Sequence, residues 1–196
     1  MDALRQGGCP ICRLADEASQ SRLQALFYEL VNDLPTRERL REGGAFCPRH
    51  TRQALRIGDP LGGSIIYADL LRRARDANPS EWRTSCLLCD HEAEVVRGML
   101  KVLLDHIEED DVCAAYRASD GLCLAHLRQA RAHSRRPETL RLAALERDIV
   151  AGLAKQCDGF VAKSDYRNSQ SLCEGEGDAW RRAARKLGGG YPDRET

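Results

Sequence analysis

Aromatic side chains are scarce in this chain: three Phe, five Tyr and two Trp among 196 residues. A core with so few rings must be filled mainly by Leu and Ala, which suits helices and a modest interior. Net charge is absent as well, since 30 basic side chains offset 30 acidic ones. No global field therefore draws the protein onto nucleic acid or an anionic membrane. No apolar run is long enough to span a bilayer. The stretch Met1 to Gly8 lacks the apolar region of a signal peptide, so the cytosol is the expected compartment. Alternating β-branched segments are missing, and no strand is expected. No Ser-His-Asp set, phosphate-binding loop or glycine-rich nucleotide fingerprint occurs. With no catalytic set legible, the reading leans away from an enzyme.

Cysteine is what the chain has in excess, with nine residues. Disulfides are disfavoured in a reducing compartment, where clustered cysteines more often bind metal or do redox chemistry. Eight residues fall into an ordered pattern. Cys9-Pro-Ile-Cys12 is followed by Cys47-Pro-Arg-His50, then Cys86-Leu-Leu-Cys89 is followed by Cys123-Leu-Ala-His126. Thirty-four residues separate Cys12 from Cys47, and 33 separate Cys89 from Cys123. Around the closing pairs, Arg52-Gln53-Ala54 matches Arg128-Gln129-Ala130. These echoes mark an internal duplication, with one residue of slack in a loop.

The segments between the pairs read as helices. Leu14, Ala18, Leu23, Leu26, Phe27, Leu30 and Leu34 form one apolar face. Pro35 suits the first turn of a short helix that Gly43-Gly44 stops. A helix from Cys47 to about Ile57 follows, and Gly62-Gly63-Ser64 offers the next start, with an end near Ala77. In the second copy a long helix is expected from about Asp90 to Glu109, and Asp110 or Asp111 can cap a short helix after it. A further helix runs from Cys123 to about Ser134. Pro137 then opens one with Leu140, Leu142, Leu145, Ile149, Val150 and Leu153 as apolar positions. Beyond Cys157 the plan of the repeat ends. Asp158 to Gly177 is expected to be extended, Ala179 to Leu187 to be a short helix anchored by Trp180, and Gly189 to Thr196 to be a loose tail.

Three thiolates and an imidazole make a complete tetrahedral Zn²⁺ shell of the closed, structural kind. Ligand pairs at helix starts gain a favourable dipole for the negative sulfurs. The expected cofactors are therefore two Zn²⁺ ions, held by Cys9, Cys12, Cys47 and His50 and by Cys86, Cys89, Cys123 and His126. The same residues allow an exchanged pairing, in which Cys9 and Cys12 meet Cys123 and His126. The main rival is a [4Fe–4S] cluster with one histidine ligand per copy. Dithiol redox chemistry at CxxC is weaker without a thioredoxin-like βαβ context. Ordinary buried cysteines are weaker still, because core packing does not demand a histidine at the same offset twice.

The other candidates carry less. Cys113, Cys157 and Cys173 read as buried thiols, and His106 and His133 as helix-surface residues; His91 follows Cys89 too late for a haem c attachment motif, which needs His directly after the second Cys. Glu92, Glu94, Asp105 and Glu108 to Asp111 read as surface charge. The basic runs Arg72 to Arg75 and Arg131 to Arg136 have acidic neighbours, so nucleic-acid binding by a regulator stays a minor alternative.

The pattern resembles a bacterial family of unknown function. Its helical members carry duplicated CxxC…CxxH motifs and a closing segment near "DYR…W", here Asp165-Tyr166-Arg167 and Trp180. The resemblance implies a bacterial, metal-bound, cytosolic protein and supplies no reaction. Pro10 and Pro48 are replaced by Leu87 and Leu124 in the second copy, which predicts a less rigid second knuckle.

The resulting expectation is an all-α protein: residues 1–78 as one repeat, 79–157 as the second, and 158–196 as a C-terminal strap with a short helix. Each repeat is closed by a Cys₃His site. The expected role is a non-enzymatic interaction or adaptor module with a protein partner and no membrane contact.

Overall fold

The computed structural model describes residues 2–78, 85–133, 137–165, 167 and 170–190. The joint expected between the copies, the end of the basic run Arg131 to Arg136, Tyr166 and the final tail residues fall partly or wholly outside the described residues. Among the described residues the regular structure is entirely helical, as expected. In chain order the helices are α1 (Asp2–Arg5), α2 (Pro10–Tyr28), α3 (Leu34–Gly43), α4 (Pro48–Ile57), α5 (Pro60–Asp76), α6 (Leu87–His106), α7 (Asp110–Arg117), α8 (Leu124–His133), α9 (Pro137–Lys163) and α10 (Ala179–Gly188).

Proline sets five of these starts. Pro10, Pro48, Pro60 and Pro137 are first residues of their helices and Pro35 is a second residue, where a fixed φ and a missing N–H cost nothing. α5 starts earlier than the glycine signal suggested. Asp59 accepts bonds from the Leu61 and Gly62 amides, both at 3.1 Å, and so caps a helix that begins at Pro60. Gly62 is instead a contact residue, because a Cβ there would run into the Phe27 carbonyl oxygen. α7 also differs in its cap: Glu109 holds that position, and Asp110 and Asp111 lie in the first turn, where their charge suits the dipole.

The chain divides into two compact units, Met1–Leu14 with Arg97–Thr196, and Ala15–Val96. The 15–96 unit is built on Leu23, Leu26, Phe27, Leu40, Phe46, Ala54, Ile66, Leu70 and Leu88. Phe46 meets Tyr67 edge-on, with ring centroids 6.4 Å apart. α3 and α5 are tied by Asp69, which accepts from Arg41 at 2.7 Å and pairs with Arg37 at 3.3 Å. Each fully buried Leu contributes roughly 1.5–3 kcal/mol.

The other unit buries Ile11, Leu100, Leu104, Ile107, Tyr116, Leu122, Ala130, Leu142 and Leu145. α10 packs on α8 and α9. Two expectations fail here. α9 continues to Lys163, so Asp158–Lys163 is helical rather than extended. Its last turn is held by Lys163, whose ammonium donates to Glu176 at 2.8 Å. Trp180 does not anchor α10: it is 59% exposed, with the Arg181 guanidinium over its ring. Ala179 and Lys186 are the buried residues of that helix.

Candidate metal centre

All four ligand pairs share one local construction. Cys9, Cys47, Cys86 and Cys123 each stand one residue before a helix. Their carbonyls accept the first helical bonds, from Arg13 at 3.2 Å, Thr51 at 2.8 Å, Asp90 at 3.1 Å and Leu127 at 2.9 Å. The second member of each pair is the third helical residue: Cys12, His50, Cys89 and His126. Sulfur and imidazole are thereby turned towards a helix N-terminus, where backbone N–H groups and the dipole favour negative charge.

The structure brings the pairs together in the exchanged sense. Cys9, Cys12, Cys123 and His126 form one group, and Cys47, His50, Cys86 and Cys89 form the other. Within each group every ligand atom lies within 4.8 Å of the others. In the Cys12 cluster, His126 Nδ1 is 3.4 Å from Cys9 Sγ, 3.4 Å from Cys12 Sγ and 3.3 Å from Cys123 Sγ. In the Cys89 cluster, His50 Nδ1 is 3.3 Å from Cys47 Sγ, 3.3 Å from Cys86 Sγ and 3.5 Å from Cys89 Sγ. Each cluster lies wholly inside one compact unit.

The exchange corrects the within-copy assignment, and its cause lies beside the ligands. Phe46, next to Cys47, and Leu88, between Cys86 and Cys89, are buried in the same core. That core pulls these two knuckles together. The exchange also gives each cluster one Pro-containing pair and one Leu-containing pair. The rigidity difference expected between the copies is therefore shared between the clusters.

Crowding polarises the donors. Cys123 is driven well below the ordinary thiol range by hydrogen bonds from Cys12 and Cys9, against the cost of burial. Cys12 moves the opposite way, because its proton bridges to Cys123 and Cys9. Burial opposes charge on His126, yet bonds to Cys123 and Cys9 outweigh it and raise its pKa to about 9. In the other cluster, burial pushes Cys89 up to about 12, helped by Cys47. Burial also opposes ionisation of Cys47, but the His50 amide, Cys89 and the Arg49 amide hold it below the ordinary thiol value. His50 is lowered, first by burial and then by the neighbouring Arg49 charge, which favours the neutral imidazole. Its Nε2 faces Glu92 at 3.4 Å. Arg49 Nη2 lies 2.8 Å from the same nitrogen, and charged groups behind a ligating imidazole hold the ring in place. Glu92, which the sequence suggested was surface charge, is thus part of the site, and it also pairs with Arg49.

A second set of residues was missed. Glu146 is 2% exposed and accepts from the Leu122 amide at 2.6 Å and from the Tyr116 hydroxyl. Lys186 donates to it at 2.5 Å and to the Asp120 carbonyl at 2.9 Å. This network fixes the backbone immediately before Cys123. The C-terminal end is equally involved. Gly190 donates its N–H to Cys12 Sγ at 3.3 Å and accepts from the Cys9 amide at 3.0 Å. The start of the supposed loose tail is therefore pinned to the cluster.

The cysteines outside the pattern join neither group. Cys113 is buried and accepts from Arg141 at 3.4 Å. Cys157 is half-buried, whereas Cys173 is exposed, with the Lys163 ammonium at 3.0 Å. Cys173 thus departs from the buried-thiol expectation. His106 is exposed and bonded to Glu109 at 2.6 Å.

These features define a helical protein with two Cys₃His groups that can hold metal ions. The chain belongs to the Family of unknown function (DUF6062), which matches residues 75–194. That match includes Cys86, Cys89, Cys123 and His126, one half of each cluster. The chain is also similar to an "Uncharacterized 23.9 kDa protein in xynA 3'region" of Caldicellulosiruptor sp. (strain Rt8B.4), with 26% identity over 187 residues, covering 86% of this chain and 88% of the relative. No solved structure matches. No described helix is long and apolar enough to cross a membrane.

Proposed function

We propose that the protein binds two Zn²⁺ ions, one in each cluster, and that these are structural. The observation that carries this reading is the size of the donor sets. A tetrahedral ion with Zn–S of about 2.3 Å and Zn–N of about 2.0 Å places its sulfurs about 3.8 Å apart and sulfur and nitrogen about 3.5 Å apart. The sulfur pairs Cys12–Cys123 and Cys47–Cys89 are 3.7 and 3.6 Å apart, and the sulfur–nitrogen distances run from 3.3 to 3.5 Å. A [4Fe–4S] cluster would interpose irons and sulfides between its ligands and hold them further apart, so the geometry favours one ion. Four protein donors fill a tetrahedral shell, which argues against a bound, activated water.

The role that follows is a non-enzymatic interaction module whose partner is a protein. A hollow of the 15–96 unit supports this: it is lined by Phe27, Ala54, Leu55, Pro60 and Tyr67, and Leu55 and Leu61 beside it are 68% and 72% exposed. The balanced charge gives nucleic acid little to hold. Nine free cysteines fit a reducing, cytosolic setting.

Metal content per chain, measured on anaerobically purified protein together with its visible spectrum, tests the reading. About two zinc ions and no colour are expected. Iron with sulfide and a brown chromophore would replace it with the cluster reading, and no stoichiometric metal would end both.

A further inference from the structure

The two clusters are covered unequally. In the Cys12 cluster, Cys9 and Cys123 are 2% and 1% exposed, and His126 is half-buried. The remaining ligand, Cys12, lies under the C-terminal segment, where the Gly190 amide bonds its sulfur at 3.3 Å. Gly189 has φ +87°, and a Cβ there would be 3.7 Å from both Cys12 Sγ and Cys123 Sγ. That segment is a main-chain lid on the sulfurs. The Cys89 cluster has a closed floor, with His50 fully buried and Cys86 4% exposed. Cys89 itself is exposed. Among the described residues no second segment lies over it as Gly189 and Gly190 lie over Cys12.

We infer that Cys89 is the reactive site of this protein, the metal-bound thiolate that attacks soft carbon electrophiles, and that the Cys89 cluster is its labile metal centre. The inference rests on the metal-binding reading above. The argument is one of access: with metal bound every ligand sulfur is a thiolate, and both clusters have the same donor set and helix-start geometry, so accessibility decides the rate. In the step, a sulfur lone pair of the Cys89 thiolate forms an S–C bond. The carbon–halogen bond of an alkyl halide breaks, and the halide leaves with its electron pair. The product is a neutral thioether, which has lost the anionic charge that held the cation. The ion is left with Cys47, His50 and Cys86, and passes to any chelator present.

The test uses full-length, zinc-loaded protein carrying Cys157→Ser and Cys173→Ser, which removes the accessible thiols outside both clusters. Iodoacetamide is added at limiting amounts, zinc release is followed with a colorimetric chelator, and the modified cysteines are read by peptide mass spectrometry. Cys89 should be carboxamidomethylated about tenfold faster than Cys9, Cys12 or Cys123. One zinc should leave in step with it while the second is retained. Cys89→His keeps a fourth donor and removes the nucleophile. It should retain both zincs and lose the fast phase, which separates reactivity from a folding defect. Two bound zincs released together, or Cys12 modified as fast as Cys89, would overturn the inference and leave the metal reading intact. Protein with no stoichiometric metal would overturn both.

Discussion

Glu146 is a carboxylate carried into the interior of a helix face that otherwise reads Leu142, Leu145, Ile149 and Leu153. It is kept there because every approach to it is polar: the Leu122 amide, the Tyr116 hydroxyl and the Lys186 ammonium all donate to it. Tyr116 is correspondingly held neutral, with its pKa raised well above the ordinary phenol by burial and then by the Glu146 charge. A buried ion pair is weak evidence of net stability, but breaking one leaves a charge with no partner. Lys186→Met should therefore destabilise the protein by roughly 3–5 kcal/mol in denaturant titration. Lys186→Met combined with Glu146→Gln should recover part of that loss, since the orphaned charge is then gone. The sequence held a signal for this network, an acidic residue interrupting an apolar stripe at helical spacing. What it lacked was any hint of Lys186, which lies 40 positions away. Glu92 was hidden for the same reason, because its partners Arg49 and His50 come from a different helix.

At the scale of elements, the helices were legible from their stops and starts. Proline at the first turns and Gly44 and Gly58 in left-handed caps are local signals that tertiary packing has no need to override. Pro137 likewise marks the start of α9, and α10 lies where it was expected; the stretch between them was not legible, because its polar residues are used in pairs that only the fold brings together. Lys163 at the end of α9 meets Glu176 ahead of α10, and the same carboxylate takes the Cys173 amide at 2.6 Å. Those two donors hold the Glu176 carboxyl below its ordinary value of 4.5. A carboxylate with a depressed folded pKa contributes stability that is complete above that ordinary value and lost as pH falls through the folded one. Glu176→Gln should thus lower Tm at pH 7, and the gap from the parent protein should close as the pH is taken below about 4. A gap unchanged across that range would mean that the side chain acts through packing alone. The end of α10 carries a second test. Gly189 holds φ +87° against the sulfurs, a conformation a β-branched residue resists. Gly189→Val should lift the lid, so that Cys12 becomes accessible to alkylation while the rate at Cys89 stays as it was.

At the scale of the whole molecule, the duplication was visible and the way it is used was not. Sequence proximity suggested that each copy closes on its own metal. The preference is weak in free energy: loop closure grows only logarithmically with length, so joining Cys12 to Cys123, 111 positions apart, in place of Cys47 costs only about 1 kcal/mol more. A few buried side chains beside the ligands, Phe46 and Leu88 among them, outweigh that. The consequence is that each cluster joins residues from both copies, and each compact unit contains one cluster. Metal counts in paired variants separate the two arrangements. Cys9→Ser and Cys123→Ser alter the same cluster, so each alone and both together should leave about one ion per chain. Cys9→Ser with Cys47→Ser removes a ligand from each cluster and should leave none. Closure within each copy requires the reverse, with Cys9→Ser and Cys47→Ser retaining one ion and Cys9→Ser and Cys123→Ser retaining none. Hydrogen exchange on the single variants locates the damage independently. Cys9→Ser should loosen the segments after Arg97 and spare those between Ala15 and Val96, whereas Cys47→Ser should do the opposite, since each ion stabilises only the unit that contains all four of its ligands.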